Sequence, residues 1–414
     1  MRRGERSDDM RRNVAIVGIG MTPMKTRWRN LDRNELANMA IREALDDAGL
    51  AMTDIDEVTL SDIDYFTGVN NSIMWLADDL GAYMKNGVKY ETGGTVGGSS
   101  CHAAIHHVAA AASDVVLASA TMKIPNPPAD SNIPIGAMAQ AALSSGFHPV
   151  WERFCTIGAA GFFAILASAY VHQSGCTEEA AAACRVKAAR NAQLNEKAHL
   201  KMPLTTEDVV NSPLLVWPLR LLHMCPTTEG STAVIFASEE KAREITDKPV
   251  WVRDIVTIHS SQFYTTSLLM TGKDPMDSPA SLPSLVKACE VLYGRNNIND
   301  PVEDLDVIEM YDPSTWAELI WMEDMGLCER GGAWRMVERG ETEIEGRIPV
   351  NPSGGVVSTN PGTPSTMIRY IEVALQIRGE AGAHQIPGDV RRGVATGFGG
   401  TGWTPMVLLS RDLD

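Results

Sequence analysis

The residues best suited to chemistry lie in and just after a glycine-rich turn, Gly93–Ser100, which offers a hydroxyl at Thr95 and leads to a thiol at Cys101. A threonine hydroxyl is a far weaker acid than a thiol, and no neighbouring His–Asp pair is visible that could activate it. We therefore expect Thr95 to cap the following helix or to bond a substrate oxygen. Cys101 lies about one and a half turns into an apolar helix, where a packed thiol is usually inert.

Five ordered segments of the chain resemble motifs of the thiolase superfamily, in its sterol-carrier (SCP2-type) branch. The glycine-rich turn resembles Gly-Gly-Cys-x-x-Gly-Ser. The others resemble Cys-Pro-x-x-Asp-Gly, Val-Val-Glu-Leu-His-Asp, Pro-Val-Asn-Pro-Ser-Gly-Gly and Gln-Leu-Arg-Gly-Glu-Ala-Gly. In chain order the matching segments are Gly93–Ser100, Cys225–Gly230, Val307–Asp312, Pro349–Gly355 and Gln376–Gly382.

The resemblance places different residues at the family's catalytic positions. Thr95 stands where the family keeps its reactive cysteine, so the ordinary thiolase mechanism is not expected. Tyr311 stands at the histidine of His-Asp-Cys-Phe, an oxyanion-hole position, and Asn360 at the histidine of Gly-His-Pro. Asparagine donates hydrogen bonds but cannot act as a base at neutral pH.

Tyr-Asp at this place resembles the steroid side-chain aldolases of the same superfamily, which also lack the cysteine and are thought to use tyrosines. Those aldolases keep a second tyrosine in the segment that here contains Asn360, and this chain does not. Two interpretations of Tyr311 stay open. It is either an acid–base group or oxyanion donor, or a tyrosine packed at the end of a strand.

Other groups are candidates for a displaced base. Tyr264, His148 and His259 lie in loops or near strand ends, and Cys101 is a further possible nucleophile. His102 and His106 are four residues apart on one helix, but no third ligand accompanies them. We therefore predict no metal site and interpret these histidines as buried or interface residues.

Coenzyme A requires basic groups for its phosphates and an apolar slot for its pantetheine arm. Basic residues of the middle of the chain are candidates, although a solvated helix face explains the same charges equally well. The glycine turns complete the predicted substrate-binding set. Its members are Arg185, Arg190, Lys197, Arg220, Ser353, Gly354, Gly355 and Gly399.

Composition excludes several classes of protein. The chain has 36 basic and 52 acidic residues, and a net charge of −16 disfavours nucleic acids and anionic membrane surfaces as partners. No apolar stretch reaches the roughly 18 residues that would span a membrane. The seven cysteines are scattered without a Cys-x-x-Cys pair, which predicts reduced thiols in a cytoplasmic protein.

Alternating strand and helix patterns predict an α/β protein. An apolar strand at 14–20 is followed by a helix over 32–49, with Asp32 as N-cap and Gly49 as its end. A second helix is predicted over 101–112. Strand and helix patterns recur after residue 250. The resemblance implies the thiolase fold, in which two pseudo-repeated α/β halves form a layered αβαβα core with an inserted loop domain.

The expected domain bounds follow from these patterns. A flexible leader covers 1–12, the N-terminal half covers 13–120 and 221–250, and the C-terminal half covers 251–414. The remaining segment, 121–220, is expected to be an inserted lid over the coenzyme A site.

The favoured function is the making or breaking of a carbon–carbon bond of an acyl-CoA by a route without a nucleophilic cysteine, namely retro-aldol cleavage of a β-hydroxyacyl-CoA. The alternatives are a β-ketoacyl-CoA thiolase or acyltransferase in which CoA attacks directly, and a non-catalytic acyl-CoA-binding subunit. We expect coenzyme A to be a substrate, with no permanently bound cofactor. The resemblance further implies a homodimer that joins a small zinc-finger/OB-fold protein in a heterotetramer.

Overall fold

The computed structural model describes residues 12–64, 71–124, 150, 158–260, 280–399 and 402–413. The strands in these ranges are β1 Val14–Met21, β2 Glu57–Ser61, β3 Asn86–Tyr90, β4 Val115–Met122, β5 Leu214–Val216, β6 Leu219–Arg220, β7 Gly230–Ser238, β8 Val250–His259, β9 Val307–Glu309, β10 Arg392–Thr396 and β11 Trp403–Ser410.

The α-helices of the same ranges are numbered in chain order. They are α1 Arg33–Ala48, α2 Ile73–Leu76, α3 Val96–Ala109, α4 Ala159–Ser174, α5 Glu178–Leu194, α6 Thr206–Val210, α7 Glu239–Ile245, α8 Pro283–Asn296, α9 Pro301–Asp304, α10 Thr315–Asp324, α11 Ala333–Glu338, α12 Gly355–Ser358 and α13 Ser365–Arg378. None of them, within the described ranges, is long and apolar enough to cross a membrane.

Nine of the described strands form one mixed sheet in the order β3-β2-β4-β7-β1-β8-β11-β10-β9. Strand β2 runs parallel to β3 and β4, and β9 runs parallel to β10, whereas the other pairs are antiparallel. The five N-terminal strands meet the four C-terminal strands along β1 and β8, where Val14 faces Val252. Strands β5 and β6 form a separate hairpin.

The strands pack against helices on both faces, and this gives the protein its layers. In β1, Ala15 and Val17 pack against α1, whereas Val14 and Ile16 pack in the cluster that contains α3 and α13. Successive side chains of a strand point to opposite faces, so one strand serves two hydrophobic cores. Helices α3 and α13 therefore form a buried central layer.

Strand β11 repeats this arrangement in the C-terminal half. Val407 and Leu409 face the central helices, whereas Met406 and Leu408 join a core that includes α8 and α10. The N-terminal and C-terminal halves of the one sheet thus enclose the central helices, and the order of layers is helix, half-sheet, helix, half-sheet, helix. The predicted αβαβα architecture of the thiolase fold is confirmed.

Local sequence signals place the first helix as predicted. The Asp32 side chain accepts the backbone N–H of Glu35, and the Glu35 side chain accepts the backbone N–H of Asp32. This reciprocal pair is a capping box. Gly49 ends the helix with φ 65°, in the left-handed region that glycine adopts without strain.

The predicted helix over 101–112 was misplaced, because α3 begins at Val96 and ends at Ala109. Its first turn contains Gly97 and Gly98, which the sequence suggested were loop residues. A Cβ at Gly97 would lie 2.6 Å from the Thr363 carbonyl oxygen. The glycines therefore allow two backbones to approach each other, and they do not interrupt the helix.

Helices α4 and α5 of the middle segment pack against the C-terminal half. Lys187 of α5 forms a fully buried ion pair with Glu318 of α10. The limits of the proposed 121–220 insertion stay a prediction, since residues 125–149 and 151–157 lie outside the described part of the chain.

Candidate active site

Tyr311 is held at the end of β9 by contacts to two neighbouring segments. Its backbone N–H donates to Thr396 Oγ1 at 3.1 Å, and the preceding N–H of Met310 donates to Asn351 Oδ1 at 2.7 Å. The residue is 6 % exposed, and its ring lies 6.4 Å from that of Phe398. An almost buried phenol is thus fixed between β9, β10 and the Asn351 turn.

The Asn360 side chain connects the tyrosine to the next segment. Its Oδ1 accepts the Ser365 hydroxyl at 2.6 Å, the Gly362 N–H at 3.2 Å and the Tyr311 hydroxyl at 3.4 Å. A backbone N–H can only donate, so the amide oxygen must face Gly362. The amide nitrogen consequently faces Cys225, and Nδ2 donates to its Sγ at 3.0 Å.

Cys225 is a site residue that sequence reasoning missed. Its N–H donates to the Pro313 carbonyl at 3.0 Å, which holds the loop before β7 beside the Tyr311 segment. Burial raises the pKa of the half-buried thiol to about 12, and the Asn360 bond only partly opposes this effect. The available signal was its position in the Cys225–Gly230 motif, but only the fold brings it to Asn360.

Thr95 begins α3 and is 1 % exposed. The expected side-chain helix cap was wrong, because its hydroxyl donates to the Thr92 carbonyl at 2.9 Å. The neighbouring Gly94 packs on Gly399, where a Cβ added to Gly399 would lie 2.5 Å from Gly94 Cα. A Cβ at Gly94 would lie 4.0 Å from the Tyr311 hydroxyl, so this turn borders the tyrosine.

The turn Ser353–Gly355 supports the site from inside the protein. Ser353 donates its N–H at 3.0 Å and its hydroxyl at 2.9 Å to Glu309, which also pairs with Arg369. All three side chains are at most 3 % exposed. The structure therefore places Ser353 in a buried polar network and not on an open binding surface.

The two glycines of this turn have left-handed backbones, with φ 96° at Gly354 and φ 67° at Gly355. A Cβ at Gly354 would collide with Ala192, and one at Gly355 would collide with the carboxylate of Asp312. Asp312 in turn accepts the Val356 N–H at 2.6 Å. Burial and, to a smaller extent, the nearby Glu318 carboxylate raise the pKa of Asp312 well above its usual value.

Each of the four predicted coenzyme-binding cations contacts a different partner within the protein. Arg185 is fully buried and donates to Ser358 Oγ at 3.1 Å, and burial lowers its pKa to about 10. This placement corrects the interpretation of Arg185 as part of a solvated helix face, since tertiary packing covers that face. Arg190 pairs with Glu343, Lys197 with Glu43, and Arg220 with Glu178.

Two further candidates, Cys101 and His259, lie at other places in the fold. Cys101 is fully buried, which raises the pKa of its thiol, and His259 is exposed beside Trp403, with ring centres 4.9 Å apart. His148 and Tyr264 lie outside the described residues. Among the residues that are described, no group of three His, Cys, Asp or Glu side chains could hold a metal ion.

The first of the helix histidines, His102, is buried in the core as expected, whereas His106 is exposed. Burial and, to a smaller extent, the nearby His106 lower the pKa of His102 to about 3, so its ring is neutral at neutral pH. His102 Nε2 and the Tyr370 hydroxyl are 2.7 Å apart, and Nδ1 lies 3.0 Å from Thr257 Oγ1. This histidine therefore connects α3, α13 and β8 in the core.

Comparison with known proteins supports the family interpretation. The thiolase C-terminal domain-like family matches residues 297–411. An acetyl-CoA acetyltransferase of Methanothermobacter thermautotrophicus is 30% identical over 96% of this chain and 98% of its own. The 17-hydroxy-3-oxo-4-pregnene-20-carboxyl-CoA lyase of Mycobacterium tuberculosis is 30% identical over 83% of this chain and 86% of its own.

A solved structure agrees with the fold over nearly the whole length. The Ltp2-ChsH2(DUF35) aldolase superposes with a TM-score of 0.78 at 25% identity, and the match covers 98% of this chain and 99% of that chain. At this coverage the likeness is to the whole chain and not to one half of it. The chain therefore belongs to the thiolase superfamily, in its SCP2-type branch, and is an enzyme of acyl-CoA carbon–carbon bond chemistry.

Proposed function

We propose that the protein cleaves a β-hydroxyacyl-CoA by a retro-aldol reaction without a covalent acyl-enzyme. The observation that carries this proposal is the bonded pair of Tyr311 and Asn360, 3.4 Å apart, beside a turn in which Thr95 replaces the nucleophile. Because the Thr95 hydroxyl donates to its own turn, it is not poised for attack on a thioester. A proton acceptor and an amide donor are what a retro-aldol reaction requires.

In the proposed reaction Tyr311 first gives its phenol proton to solvent and so loses its bond to Asn360, and its oxygen then accepts the proton of the β-hydroxyl. The Cα–Cβ bond then breaks, its electron pair forms the thioester enolate, and the other carbon leaves as a carbonyl group. The Asn360 amide has two hydrogens, of which one bonds Cys225. Its second hydrogen donates to the enolate oxygen. Thr95 keeps the turn in shape.

Two relatives are named for related chemistry. One is a carboxyl-CoA lyase and the other is an aldolase. Both names describe cleavage without naming acyl transfer, and coenzyme A is part of the lyase substrate's name. We infer that this protein likewise acts on a CoA thioester.

Substitution of Tyr311→Phe tests this function, because it removes the hydroxyl and keeps the ring. Turnover of 3-hydroxyacyl-CoA substrates should fall by about 100-fold or more, with little change in KM. Products are measured by mass spectrometry. The control is Tyr83→Phe, at a tyrosine that is 69% exposed. Equal turnover in the wild type and Tyr311→Phe would refute the proposed role.

A second candidate is acyl transfer in which CoA attacks the ketone of a β-ketoacyl-CoA directly. The 30% identity to a protein named acetyl-CoA acetyltransferase favours it. Incubation of the protein with a β-ketoacyl-CoA and free CoA separates the two functions. Two shorter acyl-CoA products would identify the transferase, whereas a free carbonyl product from a β-hydroxyacyl-CoA identifies the aldolase.

We further propose that the chain forms a homodimer in the cytoplasm and joins a small zinc-finger/OB-fold protein. The solved aldolase is named for two proteins, Ltp2 and ChsH2(DUF35), which supports a partner of this kind. Light scattering of the purified chain tests the dimer. Co-expression with a DUF35-type protein, followed by size-exclusion chromatography, tests the heteromeric complex.

A further inference from the structure

We propose that Cys225 is a catalytic residue that gives its thiol proton to the α-carbon of the thioester enolate. This inference rests on the retro-aldol function proposed above. Cleavage leaves a carbanion equivalent at Cα, and turnover requires an acid that protonates this carbon. Tyr311 cannot donate a proton to Cα in the same step in which it accepts one from the β-hydroxyl.

The position of the thiol follows from the hydrogen bonds around Asn360. The amide oxygen of Asn360 faces Tyr311, and the amide nitrogen donates to Cys225 Sγ at 3.0 Å. One amide thus bonds both the proton acceptor and the thiol. In this proposal the enolate oxygen of the substrate bonds Asn360, with Cα beside the sulfur and Cβ beside the phenol.

The direction of the Asn360 bond leaves the thiol hydrogen available. Sulfur accepts the Nδ2–H, so the S–H hydrogen points away from the amide. The residue is half-buried, whereas Cys101, Cys176, Cys184 and Cys289 are buried. Burial, opposed by the Asn360 bond, raises the pKa of Cys225 to about 12. The group is therefore a protonated thiol at neutral pH and suits a donor better than a nucleophile.

The proton balance closes within the site. In the reacting state Tyr311 has given its proton to solvent and is a phenolate, and Cys225 is a thiol. The β-hydroxyl proton passes to Tyr311, the Cα–Cβ pair becomes the enolate, and the thiol proton passes to Cα to give the acyl-CoA product. Tyr311 is then neutral and Cys225 is a thiolate. Transfer of the phenol proton to the sulfur through water restores both groups.

The reverse of the last step gives a direct test that needs no aldol substrate. The thiolate of Cys225 should remove an α-proton from propionyl-CoA, which in D2O leads to deuterium at Cα. Mass spectrometry should detect this exchange with the wild type. Cys225→Ala and the nearly isosteric Cys225→Ser should both lose it by about 100-fold or more. Cys328→Ala, at another half-buried thiol, should exchange at the wild-type rate.

The pH dependence of exchange adds a second readout. Below about pH 12 the fraction of thiolate rises tenfold per pH unit, so the exchange rate should rise with the same slope over pH 6–9. Thermal melting of each variant shows whether it folds. Because serine keeps the size of the side chain, Cys225→Ser remains informative if Cys225→Ala is unstable.

The outcomes separate this inference from the proposed function. Exchange by Cys225→Ser at the wild-type rate, or no exchange by the wild type, overturns the role of Cys225. Cys225-dependent exchange supports it. If the wild type exchanges α-protons but releases no carbonyl product from β-hydroxyacyl-CoA substrates, the retro-aldol function fails and Cys225 keeps its role at Cα.

Discussion

The two glycine turns of the molecule, Gly93–Ser100 and Asn351–Gly355, hold their site residues in different ways. The first turn is supported by backbone contacts, since the Thr95 hydroxyl bonds the Thr92 carbonyl and Gly94 packs on Gly399. The second is supported by buried charge, since Ser353 bonds Glu309, which pairs with Arg369. The N-terminal turn is therefore held by close backbone packing, whereas the C-terminal turn is held by a buried ion pair and its hydrogen bonds.

This difference indicates where the chemistry resides. The C-terminal turn adjoins both site residues, since Asn351 bonds the N–H of Met310 beside Tyr311 and the short helix α12 leads from the turn to Asn360. The N-terminal turn contributes shape and contains no acid–base group. A protein that has lost its nucleophile at Thr95 can therefore keep a rigid site, because the rigidity comes from the other half.

The largest effect is expected from breaking the charged support. Arg369→Met leaves the Glu309 carboxylate buried without its cation, which should lower the free energy of unfolding by about 3–5 kcal/mol. The same substitution in the exposed Arg347–Glu303 pair should change it by less than about 1 kcal/mol. Urea midpoints of the two variants measure both. Equal midpoints would mean that the second turn does not depend on buried charge.

A smaller effect is expected from crowding the N-terminal turn. Gly399→Ala places a Cβ 2.5 Å from Gly94 Cα, so the backbones must separate, at a cost of about 1–3 kcal/mol. Turnover should also fall, because Gly94 borders the Tyr311 hydroxyl. Gly294→Ala has open space around the new methyl group and should be neutral or slightly stabilising. Wild-type turnover in Gly399→Ala would show that the two turns are not coupled.

The pH dependence of stability should trace to the same network. Glu372 bonds His384 at 2.9 Å and Asn195 at 2.8 Å, and Asn195 bonds the Ser353 carbonyl at 3.2 Å. Burial lowers the pKa of His384, but the bond to Glu372 outweighs it and raises the pKa above its usual value.

A raised histidine pKa stabilises the folded state fully below about pH 6.5, and this stabilisation is lost as pH rises through the folded-state pKa. His384→Gln should remove that pH-dependent contribution. Its unfolding free energy should then vary less than that of the wild type between pH 6 and 9. Parallel pH profiles for the two proteins would assign the dependence to other groups.

The smallest effect is expected at Thr95. Thr95→Val keeps the shape and removes one hydrogen bond to the Thr92 carbonyl, which should cost about 0.5–1.5 kcal/mol. Turnover of Thr95→Val should differ from that of the wild type by less than threefold, in contrast to the loss of about 100-fold expected for Tyr311→Phe. Assays of both variants on one substrate suffice, and a loss as large as that of Tyr311→Phe would return Thr95 to the catalytic group.

Much of the fold was predictable because its signals are local. Asp32 and Gly49 mark the ends of α1 within the sequence itself, and the continuous apolar runs of β1 and β11 are typical of strands with two buried faces. The ordered motifs also singled out Tyr311 and Asn360, whose side chains the fold brings together. Where the sequence failed, at the start of α3, the glycines served a contact with a segment more than two hundred residues away.

The amino-acid sequence by itself determined the family and the layered fold, and it predicted a threonine in place of the nucleophilic cysteine and two polar groups of the site. Only the tertiary structure decided that Cys225 bonds Asn360, 135 residues further along the chain, and that Arg185 is buried. The physical reason is the range of the interactions. Capping and periodicity act within a few residues, whereas hydrogen bonds and burial depend on which distant segments the packed layers bring together.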